Sequence, residues 1–288
     1  MANISSISDL IDLSTGVYGY GTASEYLEVN LTTDIDFNDY TQGYMFTGCS
    51  GTWYVNFNGN GHSIKNIYYT GTNDWYFFEN FTGTISNLKI DDINIVTTGY
   101  IRLGYAVDRT DLIDVNVTGI LESLNNTVCP FFSMSANKAF HTITRCSIVG
   151  NLKGTLVGIF ALQNGLLAQG EMYDCNAYGE FISTGDITIT GSGKSWRLGI
   201  VGVFQCANLY WNNINTFCQN DCYLVIKPTS TITGAVYSST SNNQTNNCYY
   251  DADVLPQGIT ISDGSIPATT AQLQSKTFMN DTLKWHTK

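Results

Sequence analysis

The chain has 288 residues, of which 43% are hydrophobic and only 13% charged, and its formal net charge at pH 7 is −11. A chain of this length can bury a sizeable core, and all-β folds of such a size often form one domain. The small number of basic residues argues against a nucleic-acid or anionic-membrane partner, because Lys and Arg carry most of the affinity for phosphate groups. The polar surface must come from Asn, Thr, Ser, Gly and Tyr, which favour strands and turns over exposed helices.

The N-terminal segment predicts a short helix. Residues 6–15 read SISDLIDLST, with Ser6 or Ser8 as the N-cap and an apolar face that begins at Leu10. Such a helix would cover the open first coil of a stacked β fold. The start has neither a basic region nor a continuous apolar stretch, so we expect no signal peptide, and no stretch is apolar enough to predict a membrane span.

Alternating acidic residues follow at Asp34-x-Asp36-x-Asn38, which begins like a calcium-binding loop. Asp39 stands where such a loop needs Gly, and Met45 stands where it needs a chelating Glu. In a strand, Asp34 and Asp36 share one face. The pattern favours a solvated or turn-forming face, with a metal site as the alternative.

The next segment, Asn58-Gly59-Asn60-Gly61, predicts a turn between apolar stretches, because Gly and Asn adopt positive φ readily. A phosphate-binding loop would need G-x-G-x-x-G before a helix, whereas more strand follows here.

A polar residue followed by an apolar one recurs along the chain and predicts stacked solenoid repeats. It occurs in SNLKI (86–90), IDVNV (113–117) and TRCSIV (144–149), among other segments. The successive anchors lie 27, 31, 29, 39 and 34 residues apart, within the range of about 20–45 residues for such repeats. The longest interval contains residues 183–197, which we interpret as an inserted hairpin or loop. The anchors are Asn87, Asp114, Arg145, Asp174, Asn213 and Asn247.

The repeat also explains several of the eight cysteines, which we expect to be mostly reduced core residues. A disulfide or a metal role is the alternative, but Cys206, Cys218 and Cys222 have no nearby His and lack the spacing of a four-ligand zinc site. The position after the anchor is held by Leu88, Val115, Cys146, Cys175, Ile214 and Cys248.

Three segments, in order, resemble the opening of GLUG-motif proteins: LTTDIDFNDY (31–40), FNGNGHSIKNI (57–67) and WYFFENFTGTISNLKI (75–90). Segments 246–254 and 269–285 resemble the usual ending of that family. The resemblance implies an all-β fold, a single-stranded right-handed parallel β-helix (solenoid) with short capping helices at the N- and C-terminus. Members occur among bacterial surface adhesins and bacteriophage virion proteins, and the family implies no catalytic site.

The expected organisation has three parts. Residues 1–15 form an N-terminal cap helix, residues 16–255 the parallel β-helix, and residues 256–288 a C-terminal capping segment in which Thr270 is the N-cap.

Asp91-Asp92 predicts a turn, since adjacent strand residues point to opposite faces unless a bulge intervenes. Catalytic carboxylates of β-helical glycosidases come from different coils, so sequence spacing leaves an enzyme open.

Aromatic pairs supply the candidate binding residues. One ring of each adjacent pair must face outward in a regular strand, and exposed aromatic rings stack on sugars or dock protein subunits. Subunit packing and ladder stacking are the alternative roles to glycan binding. The candidates are Trp53, Trp75, Tyr210 and Trp211.

We expect a non-enzymatic bacteriophage virion protein from the tail, a fibre or the capsid surface, made in the host cytoplasm. Its expected partners are other virion proteins, copies of itself, with a trimer implied by the resemblance, and host surface glycan. No cofactor and no metal is expected. The alternatives are a tailspike-like polysaccharide depolymerase and a cell-surface adhesin, although an adhesin should carry a signal peptide and an anchor.

Overall fold

The computed structural model of the protein is a parallel β-solenoid, which confirms the predicted fold class. It describes residues 1–39, 46–134, 140–157, 161–163, 169–184, 204–205, 210–218, 223–225, 249–253, 266–273 and 275–278. The pairings between the strands named below are all parallel.

The described helices and strands follow one another along the chain, and the longest strands bend at corners of the solenoid. In order they are β1 (Ala2–Ile4), α1 (Ile7–Ser14), β2 (Leu27–Leu31), β3 (Ile35–Asp36), a 3₁₀ turn (Phe37–Asp39), β4 (Cys49–Asn58), β5 (Ser63–Lys65), β6 (Tyr68–Gly71), β7 (Trp75–Thr97), β8 (Ile101–Ser123), β9 (Thr127–Met134), β10 (Phe140–Thr144), β11 (Ser147–Gly154), β12 (Leu156–Val157), β13 (Ala161–Gln163), β14 (Gln169–Ser183), β15 (Phe204–Gln205), β16 (Tyr210–Cys218), β17 (Tyr223–Val225), β18 (Tyr249–Asp251), β19 (Ile266–Ala268) and α2 (Thr270–Leu273).

Rows of apolar residues, one from each coil, build the core. Each member pairs in register with the equivalent residue of the next coil, which lies 26 to 31 residues further along the chain. Such a row buries apolar surface continuously along the axis, because no coil can bury its own inner face alone. One row consists of Val29, Phe57, Ile85, Leu112 and Ile143, and a second of Ile35, Ile64, Ile90, Val117 and Ile148.

The first repeat anchors are corners with left-handed backbone. The φ angle is 51° at Asn87, 55° at Asp114 and 52° at Arg145, and Asn60 takes the same conformation one coil earlier. At Gly59, a Cβ atom would lie 2.3 Å from the carbonyl oxygen of Asn87, so only glycine fits beneath the next corner. The predicted turning role of residues 58–61 and the anchor pattern of these repeats are confirmed.

The anchor prediction is wrong further along the chain. Ile214 pairs with Met172, while Cys175 pairs with Thr216, so Ile214 does not share the row of Cys175. Two register shifts occur between β14 and β16, so residues that are equivalent by sequence spacing do not pair in the structure. Asn247, Cys248 and most of the predicted insertion at 183–197 lie outside the described residues.

The cysteines within the described core are buried and reduced, which confirms their predicted apolar role. Burial raises the pKa of the Cys49 thiol far above its usual value, so that side chain stays neutral. Cys206, Cys222 and Cys248 lie outside the described residues, and the side chain of Cys218 is not described. The buried cysteines, which form no disulfide, are Cys49, Cys129, Cys146 and Cys175.

Short helices stand near both ends. Helix α1 buries Leu10 and Leu13, and its N-cap is Ser6, whose side chain accepts a hydrogen bond from the Asp9 backbone N–H. The N-cap of α2 is Thr269 instead of the predicted Thr270, because Thr269 and Gln272 exchange backbone and side-chain hydrogen bonds in a capping box. The proposed boundaries at residues 15 and 255 stay predictions. Across the described residues, no helix has the length and apolar character that crossing a membrane requires.

We predict that Gly150→Ala destabilises the solenoid by about 2–3 kcal/mol in urea denaturation, because its Cβ atom would lie 1.9 Å from the carbonyl oxygen of Gly119 on the neighbouring coil. Gly61→Asn is the control, since that site is open and Asn is among the residues that best tolerate its φ of 81°, so its effect should stay within about 1 kcal/mol. Equal effects of the two substitutions would contradict the coil-packing argument.

We also predict that the four buried thiols resist a thiol reagent such as DTNB in the folded protein and react once urea unfolds it. The number of titrated thiols should therefore rise by at least four on unfolding. Rapid reaction of more than four of the eight cysteines in the folded protein would contradict their burial.

Candidate functional site

Two outward surfaces bring charged and aromatic side chains together, and the first is a row of charges. Asp36 pairs in register with Lys65, and Lys65 pairs with Asp91 on the following coil. Since adjacent strands lie about 4.8 Å apart, the Cα atoms of Asp36 and Asp91 are separated by about 10 Å. Ile35 and Phe37 point into the core, so Asp34 and Asp36 share the outer face as predicted.

Hydrogen bonds from the next coil hold the carboxylates of Asp34 and Asp36. Asp34 Oδ1 accepts from the Ser63 backbone N–H at 2.9 Å, and its pKa is lowered mainly by that bond. Asp36 Oδ1 accepts from Asn66 Nδ2 at 2.7 Å, which is the main cause of its lowered pKa, and its Oδ2 lies 3.4 Å from Lys65 Nζ. Both acids therefore favour the ionised form.

Asp91 has the opposite electrostatic character. Burial is the largest cause of its raised pKa, and the neighbouring charge of Asp92 adds to the increase, while Lys89 opposes it. The sequence predicts a turn at Asp91-Asp92, with opposite faces unless a bulge intervenes. In the structure both side chains lie on the outer face, between the inward residues Ile90 and Ile93. The reason is a bulge in register between those two isoleucines, with a φ of 53° at Asp92. Asp91 therefore shares the outer row with Asp36.

The second surface, which we call the tyrosine–arginine cluster, consists of Asp74, Tyr76, Tyr100, Arg102 and Tyr105. Tyr76 pairs with Arg102 on the next coil. The Arg102 Cζ atom lies 5.6 Å from the ring centroid of Tyr100 and 5.3 Å from that of Tyr105, so the cation faces both rings. Asp74 Oδ1 accepts a hydrogen bond from the Tyr100 backbone N–H at 3.0 Å. The cluster thus joins two coils.

The electrostatics of the cluster centre on Tyr76 and Arg102. Burial raises the pKa of the Tyr76 phenol, the nearby Glu79 and Asp74 raise it further, and Arg102 lowers it. Glu79 Oε2 itself accepts a hydrogen bond from the Gly51 backbone N–H at 2.7 Å. The phenol therefore stays protonated and able to donate a hydrogen bond.

The prediction that Trp53 and Trp75 are exposed is wrong. Both indoles are buried, with 0% and 2% of the residue surface exposed, respectively. Each indole N–H donates to a backbone carbonyl at 3.0 Å, Ser50 for Trp53 and Phe46 for Trp75, so burial leaves no unsatisfied donor. One ring of each pair does face outward, but it belongs to the adjacent tyrosine, Tyr54 or Tyr76.

The other two aromatic candidates are only partly described. Tyr210 and Trp211 lie in β16, where they pair with Gln169 and Gly170, and their side chains are not described. Their binding role stays a prediction. Among the described residues, no group of three or more His, Cys, Asp or Glu side chains is arranged to hold a metal ion.

Comparison with known proteins supports the fold. No protein-family model and no curated protein matches the chain. A Bacteroides ovatus protein whose crystal structure is described as a "putative immunoglobulin A1 protease" is similar over 93% of this chain and 79% of its own, with a TM-score of 0.50 and 16% sequence identity. A likeness at this identity shows the shared fold alone, and membership in the GLUG-motif family stays a prediction.

We predict that Asp91→Asn and Asp36→Asn change stability with opposite pH dependence. The raised pKa of Asp91 means that its contribution falls as pH rises from the usual carboxyl value of 3.8 to the folded-state value, so Asp91→Asn should stabilise the protein more at pH 7 than at pH 3. The lowered pKa of Asp36 gives stability that is present above 3.8 and lost as pH falls through its folded-state value, so Asp36→Asn should destabilise mainly at pH 7.

Urea denaturation of both variants and the native chain at the two pH values measures these differences. Asp36 is the matched control for Asp91, because both carboxyl groups occupy the same outward row. If Asp91→Asn stabilises the protein more at pH 3 than at pH 7, relative to the native chain, the assignment of a raised pKa to Asp91 is overturned.

Proposed function

We propose that the protein is a structural and binding protein, a β-solenoid that assembles with other virion proteins at the tail, a fibre or the capsid surface of a bacteriophage. The observation that supports a structural role most directly is the pairing of outward charges between successive coils. Charge pairs between successive coils favour a stiff, regularly stacked solenoid, which suits a protein that assembles with others.

Four ion pairs illustrate this use of the surface, and each joins one coil to the next. Arg145 forms a bidentate pair with Asp114, with hydrogen bonds of 2.7 and 2.6 Å. Lys153 Nζ lies 2.6 Å from Glu122 Oε1. Single exposed pairs stabilise a protein by only about 0–1 kcal/mol, so their main contribution is to favour the correct register between coils. The four are Asp36–Lys65, Asp74–Arg102, Asp114–Arg145 and Glu122–Lys153.

Gold labelling of intact bacteriophage particles with an antibody to this chain, viewed by electron microscopy, tests the proposal. We expect label at a defined position on the particle. Label at a tail tip or fibre would support a role in host recognition, and label over the capsid would support decoration or stabilisation. Complete absence from particles would overturn the virion proposal.

A second candidate, a polysaccharide depolymerase, is favoured by one specific observation. Asp36 is held ionised and Asp91 is held toward its protonated form on the same outward row, as a general base and a general acid would be. Their Cα atoms are about 10 Å apart, which lets the two side chains reach a carboxyl separation of about 6.5–9.5 Å, the range of inverting glycosidases. Lys65 lies between them, and its ion pair with Asp36 would have to open to admit a sugar.

Reducing-end release from bacterial capsular polysaccharides tests this second candidate. If it holds, Asp91→Asn should reduce the rate at least about a hundredfold, because general acid catalysis contributes about 10²–10⁴-fold. Asp92→Asn is the comparison variant: it removes a neighbouring charge that adds to the raised pKa of Asp91 but leaves both proposed catalytic carboxyl groups in place, so its loss of rate should be much smaller. No release by the native chain, or equal loss in both variants, would overturn the enzyme.

A further inference from the structure

The tyrosine–arginine cluster contains an arginine whose hydrogen-bonding capacity is largely unused. Within the described part of the chain, Arg102 Nε has no hydrogen-bond partner, and Nη2 makes one long contact of 3.4 Å with Asp74 Oδ2. Arg145 offers an internal comparison, because its Nε and Nη2 both bond to Asp114 at 2.7 and 2.6 Å. Contacts between coils therefore provide partners for Nε and Nη2 of Arg145, whereas the Asp74–Arg102 pair leaves Nε of Arg102 without one.

The surroundings of Arg102 limit the movement of its side chain but leave part of it exposed to solvent. The guanidinium faces the rings of Tyr100 and Tyr105, and 16% of its side chain remains exposed. Tyr100 is 44% exposed and Asp74 is 38% exposed at the side chain. A planar donor, a carboxylate acceptor and an accessible aromatic ring thus meet on one outer surface.

The charges of the cluster indicate what kind of ligand would fit. Near Tyr76, the two negative charges of Asp74 and Glu79 outnumber the single positive charge of Arg102. A phosphate, sulfate or carboxylate would meet net repulsion. A neutral polyol avoids it, because each hydroxyl group both donates and accepts hydrogen bonds.

We propose that the tyrosine–arginine cluster is a subsite for a neutral saccharide. Adjacent sugar hydroxyls would donate to the Asp74 carboxylate and accept from the Arg102 guanidinium, and an apolar C–H face of the sugar ring would pack on Tyr100. Saccharides bind to shallow outer surfaces of this kind, since a flat ring face needs one exposed aromatic platform. The subsite does not depend on whether the chain is a virion protein.

The test is binding of the purified full chain to an array that carries neutral oligosaccharides, built from glucose, galactose or mannose, beside uronic-acid and sialic-acid oligosaccharides. Titration calorimetry with the neutral oligosaccharide that gives the strongest signal then measures Kd. Tyr100→Ala should weaken that Kd about tenfold by removing the stacking ring. Arg102→Lys should weaken it to a similar degree, because lysine retains the charge but lacks the planar set of donors.

Tyr68→Ala is the matched control, because Tyr68 is 54% exposed and lies in β6 on another outward row. Its Kd should stay within twofold of the native value. The thermal unfolding midpoint of each variant confirms folding, and the exposed Tyr100→Ala keeps the test valid if Arg102→Lys does not fold.

Three results would overturn the subsite: no neutral oligosaccharide binds, only the acidic oligosaccharides bind, or Tyr68→Ala weakens binding as much as Tyr100→Ala. Particle labelling is a separate measurement. A chain absent from particles that still binds a neutral saccharide through Tyr100 would overturn the virion proposal and retain the subsite.

Discussion

The hydrogen bonds between coils constrain everything else in this structure. Parallel strands hold equivalent residues of successive coils about 4.8 Å apart, so each side chain lies directly on its counterpart. A position must therefore suit a whole row of neighbours. Inside the solenoid this requirement produces apolar rows. Where backbones approach too closely for a Cβ atom it produces the glycine row of Gly119, Gly150 and Gly179.

The same constraint organises the outer surface by charge. Like charges stacked directly on one another are destabilising, whereas opposite charges favour one register over its neighbours. The sequence of Asp36, Lys65 and Asp91 along one row alternates in sign accordingly. Asp91 differs from Asp36 in its electrostatics. It forms no ion pair among the described contacts, and its burial opposes ionisation. A row of charges that favours the correct register thus contains one acid whose pKa is raised.

Sequence spacing predicts this fold where coils have nearly constant length. The corners at Asn87, Asp114 and Arg145 follow the polar-then-apolar repeat, and Cys146 and Cys175 occupy the predicted inward position. The prediction fails at Asn213 and Ile214, because bulges between β14 and β16 change the register without leaving a signal in the spacing. A period alone cannot report where extra residues are accommodated.

The candidate sites were harder to predict, for a related reason. The tyrosine–arginine cluster joins residues 74–76 to residues 100–105, and only the register of β7 and β8 brings them together. Asp91 joins the acidic row through a bulge that places two successive residues outward. Residue types identify candidate chemistry, but contacts across coils decide which candidates meet.

The packing of the core determines which aromatic residues remain on the outer surface. In the Trp53-Tyr54 and Trp75-Tyr76 pairs, alternation along the strand sends the indole inward, where its N–H donates to a backbone carbonyl. Tyrosine is left on the outside, where its hydroxyl group meets water and its ring remains available. The outer surface is therefore aromatic without being strongly apolar. At Tyr100 that surface meets Arg102, whose Nε has no hydrogen-bond partner within the described part of the chain, so an exposed ring and an unpaired donor occur together there.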